Sequence, residues 1–88
     1  MIVRIMADGQ YDLSEESYDR LQVIDEHLLA ALEADDGGAF HRLFHDALKI
    51  VRGGQRLDEA VLQPSDLVLP PEDTTIDEAR RLLASDSL

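Results

Sequence analysis

His41 and His45 stand four residues apart in a segment whose apolar residues recur with helical period. Both imidazoles therefore fall on one helix face, the placement a two-histidine metal site needs. His27 lies on the preceding helical segment and comes level with Phe44 and His45 if the two segments fold back as a hairpin, which would complete a three-ligand set. The order is not the HExxH of zinc hydrolases, and Asp46 is the one nearby carboxylate positioned to orient a ring. The same three residues read more readily as solvated helix histidines.

A second pattern overlaps the first. His45, Lys49, Arg52 and Arg56, with Arg42 a turn earlier, gather half of the chain's scarce Lys and Arg toward one helix end. Cations there interact favourably with the helix dipole, by about 0.3–1 kcal/mol each. The functional alternative is a docking stripe for an acidic partner helix, made selective by the negative surface around it. Catalytic constellations are absent from the sequence. Ser14, Ser17, Ser65, Ser85 and Ser87 occupy capping, turn or tail contexts, with no GxSxG elbow, P-loop or GxGxxG run. No cofactor is expected, and no enzymatic activity.

The bulk properties point the same way. Nineteen Asp and Glu stand against eight Lys and Arg in 88 residues, a formal charge of −11. Such a field repels nucleic acid and anionic lipid at long range. There is no cysteine, hence no disulfide, thiolate site or thiol nucleophile. Neither a signal peptide nor a membrane-length apolar run is evident, so a cytoplasmic location is expected.

These side chains must be carried by a thin core, because a chain of this length buries only about 60% of its surface. Ile2, Val3, Ile5 and Met6 read as a strand, Asp8-Gly9 as a turn signal and Gln10 to Leu13 as its hairpin partner. Ser14 is placed to cap a helix reaching about Ala34, with Tyr18, Leu21, Ile24, Leu28 and Leu32 on its core face and a weaker strip at Val23, Ala30 and Ala34. Gly37 and Gly38 are expected to take the left-handed exit from that helix. A second helix follows with Phe40, Leu43, Phe44, Ala47, Leu48 and Val51 inward, closed by Gly53-Gly54. "QRLDEAVLQ" reads as a ragged turn or a loop returning Leu57 and Leu62 to the core.

Asp66, Leu67, Val68 and Leu69, framed by Pro64 and Pro71, form a third short strand. Thr75 and Glu78 have capping-box spacing before a last helix carrying Ile76, Ala79, Leu82 and Leu83. The expected fold is a small α+β domain over residues 1–84, an N-terminal β-hairpin and third strand covered by a helical hairpin and a short C-terminal helix, with 85–88 a frayed tail. The edge of the strand at Asp66–Leu69 is a second candidate docking element.

Three blocks together, "MIVRIMADGQYDL", the helical hairpin and "LQPSDLVLPPEDTTIDEARRLL", resemble the PspA-associated family called PspAA. The resemblance covers nearly the whole chain and is most specific at "PSDLVLP". It implies an accessory role in a phage-shock-type envelope stress response, beside PspA, a peripheral coiled-coil protein similar to the ESCRT-III membrane remodellers. It carries no catalytic motif, and implies that any membrane association is indirect, through the partner.

Overall fold

The computed structural model describes residues 1–60 and 63–86, the last five of these for their backbone alone. Expectations for Leu62, and for the side chains of Leu82 and Leu83, lie outside the described residues. The order of elements is β1 (Ile2–Ile5), β2 (Gly9–Asp12), α1 (Glu15–Glu33), α2 (Gly37–Arg52), β3 (Gln55–Arg56), β4 (Leu67–Leu69) and α3 (Ile76–Asp86). The α+β class is as expected. The helix α3 runs two residues into the stretch read as a tail.

Among the described residues the sheet has four strands rather than three, in the order β3-β2-β1-β4. The added strand, β3, pairs antiparallel with β2 through Tyr11↔Arg56 and Asp12↔Gln55. Both its residues are polar and exposed, so no alternation marks it in the sequence; it is a strand only because β2 offers an edge. On the other side β4 runs parallel to β1, with Val3↔Leu67 and Ile5↔Leu69 in register. A parallel neighbour needs a long crossover, and α1, α2 and β3 provide it. The chain then returns from β3 to β4 past Gln10, whose amide donates to the Gln63 carbonyl at 2.6 Å and the Ser65 hydroxyl at 2.8 Å.

Strand alternation puts Val3, Ile5, Tyr11 and Leu69 on the buried face and Arg4, Asp12 and Val68 on the other. The helical hairpin packs on the buried face. Leu21, Leu28, Ala31 and Leu32 of α1 meet Phe40, Phe44, Ala47, Leu48 and Val51 of α2 in one continuous core. Val23, Ala30 and Ala34, the weaker strip, are exposed.

The caps follow local chemistry. Ser14 Oγ accepts from the Ser17 N–H at 3.2 Å, and Thr75 Oγ1 from the Glu78 N–H at 3.2 Å, as their spacing predicts. The exit from α1 differs. Asp35, not a glycine, takes the left-handed conformation at φ 54, while the Asp35 and Asp36 N–H groups donate to Leu32 and Ala31 carbonyls at 3.2 and 2.9 Å. That pair of bonds is a Schellman motif. Asp36 then caps α2 by accepting from the Ala39 N–H at 3.1 Å, and Gly37 and Gly38 become its first two residues. Aspartate tolerates positive φ through its short polar side chain, so the exit needs no glycine.

The hairpin turn is corrected in the same way. Ala7 carries the positive φ, 66, and the Asp8 N–H donates to the Ile5 carbonyl at 3.0 Å; Gly9 has an ordinary φ and already belongs to β2.

Candidate functional site

Two surfaces carry the residues singled out by the sequence. The first is the exposed side and C-terminal end of α2. His41 and His45 meet edge to face with ring centroids 4.9 Å apart, as their helical spacing requires. His27 is exposed on α1, and among the described residues no group of three or more His, Cys, Asp or Glu side chains is gathered to hold a metal ion. The three-histidine set is therefore not assembled.

Arg52 and Arg56 are turned inward on a shared carboxylate. Arg52 Nε donates to Asp8 Oδ2 at 3.1 Å and its Nη2 to Glu72 Oε2 at 3.3 Å. Arg56 reaches Asp8 Oδ1 at 3.4 Å and donates to the Asp8 carbonyl at 3.0 Å, its guanidinium lying over the Tyr11 ring at 5.8 Å. The Tyr11 hydroxyl also donates to Asp8 Oδ1, at 3.0 Å. Asp8 thus ties the β1–β2 turn to the end of α2 and to β3, while Arg52 adds the segment after β4.

The electrostatics of this knot follow from its parts. Burial pushes the Asp8 carboxyl up, but the Tyr11 hydroxyl and the two guanidinium groups outweigh it and leave Asp8 below its ordinary value. Burial and the bond to Asp8 raise Tyr11. Arg52 is raised by Glu72 and Asp8. Of the four stripe residues, Lys49 stands exposed and His45 half-buried, with no ion pair among the described residues. The sequence marked Asp8 only as a turn residue; its partners lie 44 and 48 positions away, and no local pattern announces them.

The second surface is the β4 edge. Asp66 is engaged with β1 in both directions: its N–H donates to the Ile2 carbonyl at 2.7 Å and its Oδ2 accepts from the Ile2 N–H at 2.8 Å. Leu69 is buried and Leu67 partly so, which makes them core residues of the sheet. Val68 is 51% exposed. Strand order leaves the outer edge of β4 without a strand partner among the described residues, and Pro70 and Pro71 stop it from lengthening.

Beside that edge a groove of about 500 Å³ opens between β4, α1 and the start of α3, with Leu28, Leu32 and Phe44 among its lining residues. Among the described residues Asp25 is the one ionisable residue lining it, and burial followed by the neighbouring Glu26 raises its carboxyl above the ordinary value. The position of α3 at this groove is held by Arg80, whose guanidinium donates to the Leu32 carbonyl at 3.3 Å and pairs with Asp35 at 3.1 Å. Because α1 has no basic residue in its own last turn, Arg80 supplies the cation its C-terminus lacks.

The family model described as PspA-Associated protein matches residues 1–88, the whole chain. No curated protein and no solved structure matches it.

Proposed function

The chain belongs to the PspA-associated family, and from that membership we propose that it is a non-enzymatic adaptor of a phage-shock-type envelope stress response, acting by direct contact with coiled-coil PspA. The observation that carries this reading is the match to the PspA-associated family along all 88 residues. The chemistry of the α2 end supports it: Arg52 and Arg56 are satisfied by carboxylates of the same fold, as in a structural knot, rather than aimed at a substrate.

The adaptor works in the cytoplasm and reaches the inner face of the membrane through PspA. No helix among the described residues is long and apolar enough to cross a bilayer, and the charge of −11 disfavours direct contact with anionic lipid. The test is a pair of sedimentation experiments with the purified chain, PspA from the same organism and anionic liposomes. The chain is expected to pellet with liposomes only when PspA is present. Pelleting without PspA, or failure to form a complex with PspA in solution, would overturn the adaptor reading.

A further inference from the structure

Three of the five large hydrophobic side chains left exposed among the described residues, Met6, Leu29 and Val68, lie on one groove. They come from the β1–β2 turn, α1 and β4, so no single element explains their clustering. A folded chain gains nothing by holding such side chains together in water, and a shared apolar groove is the usual mark of a docking site. The groove also holds Asp25, which has no ion pair among the described residues and lies next to the exposed Glu26.

Charge selects the occupant. A second copy of this chain brings another −11, and α1 offers only Arg20 against six carboxylates. Anionic lipid is repelled for the same reason. A cationic flank on the incoming segment is attracted, and a Lys or Arg next to Asp25 would relieve the unpaired carboxylate. Shape narrows the choice further. Lining residues on α1 run from Asp25 to Leu32, about two helical turns at 1.5 Å per residue, whereas β4 offers a three-residue edge already stopped by proline. That length suits a helix laid in by anchors at i, i+3 or i+4, and i+7 better than an added strand.

We propose that the groove between α1 and β4 docks an amphipathic helix of PspA, with two turns of apolar anchors along Leu29 and over the β4 edge to Val68 and a basic residue against Asp25. This rests on the adaptor reading above and adds the surface and the chemistry of the contact.

The experiment measures binding of the full chain to purified PspA. Leu29→Asp with Val68→Asp should weaken the complex at least tenfold, and Asp25→Asn several-fold with a loss that shrinks as salt rises. All three positions are exposed or half-buried, and circular dichroism checks that the variants fold. Because the chain has no cysteine, Leu29→Cys accepts a single nitroxide label, which should be immobilised when PspA is added. A label at Gln55→Cys, on the opposite edge of the sheet, should stay mobile. If the wild-type chain binds PspA and the folded Leu29→Asp, Val68→Asp variant binds equally well, or the label at position 29 stays mobile, the groove is not the site while the adaptor reading stands. If the wild-type chain does not bind PspA, both fall.

Discussion

Replacing Gly54 by alanine tests whether the chain between α2 and β3 runs where the structure puts it. A Cβ at position 54 would stand 2.5 Å from Leu13 Cδ2 and 2.7 Å from the Asp12 carbonyl oxygen. Neither neighbour can withdraw easily. Leu13 is 3% exposed in the core, and Asp12 is held in register with Gln55 on β3. Gly54 is itself tethered, its N–H donating to the Val51 carbonyl at 3.0 Å. Overpacking of this kind costs about 1–3 kcal/mol, and stiffening the unfolded chain returns about 0.4–1 kcal/mol, leaving a net loss of roughly 1–2 kcal/mol. For a domain of this size that lowers Tm by roughly 5–15 °C. Gly38→Ala is the internal comparison. Its Cβ meets only Asp36 Oδ1, at 3.7 Å, from a helical position, so it should stabilise by up to about 1 kcal/mol. Urea unfolding followed by circular dichroism at fixed salt reads both. A Gly54→Ala variant as stable as the wild type would refute the close approach of this turn to β2, and a destabilised Gly38→Ala variant would mean that Gly38 holds the left-handed exit after all.

Four further outcomes are expected. Ala7→Gly should stabilise by roughly 0.5 kcal/mol in the same urea assay, since a left-handed alanine costs about 1–2 kcal/mol and glycine's extra freedom in the unfolded chain offsets part of the gain. Asp8→Asn should destabilise by about 1–2 kcal/mol at pH 7; because the folded-state value of Asp8 is lowered, its contribution is full above the unfolded aspartate value near pH 4 and fades as pH falls through the lowered one, so the wild-type and variant unfolding curves should converge in acid. Arg52→Glu should lower Tm by several degrees, by setting a third carboxylate beside Asp8 and Glu72, whereas the exposed Lys49→Glu should change Tm little; charge-reversal tests of docking on α2 therefore belong at Lys49. Raising NaCl from low concentration to about 1 M should raise Tm by screening the repulsion of a −11 chain, and a flat curve would mean the carboxylates are already paired locally.

What the residues determine by themselves is local. Helical periodicity and the caps at Ser14 and Thr75 place α1, α2 and the start of α3, because a capping hydroxyl and the N–H it serves lie within one turn of each other. The proline-framed Leu67–Leu69 is legible for a similar reason: prolines limit the strand and branched side chains fill it. The left-handed positions are not. Glycine is the cheapest residue there, yet Ala7 and Asp35 hold them, since the turn and the Schellman bonds fix the backbone first and the side chain is tolerated. Nor is β3, two polar residues that become a strand only against the free edge of β2. The pairing of Arg52 and Arg56 with Asp8 depends on the crossover bringing the end of α2 to the β1–β2 turn, and it draws these two arginines out of a stripe that reads as a docking surface and into a knot holding the fold. The groove beside β4 is the furthest from the sequence. Met6, Asp25, Leu29 and Val68 share it only because the parallel pairing of β4 with β1 sets the strand beside α1, and the contacts among surfaces, not any run of residues, decide which apolar side chains stay in water.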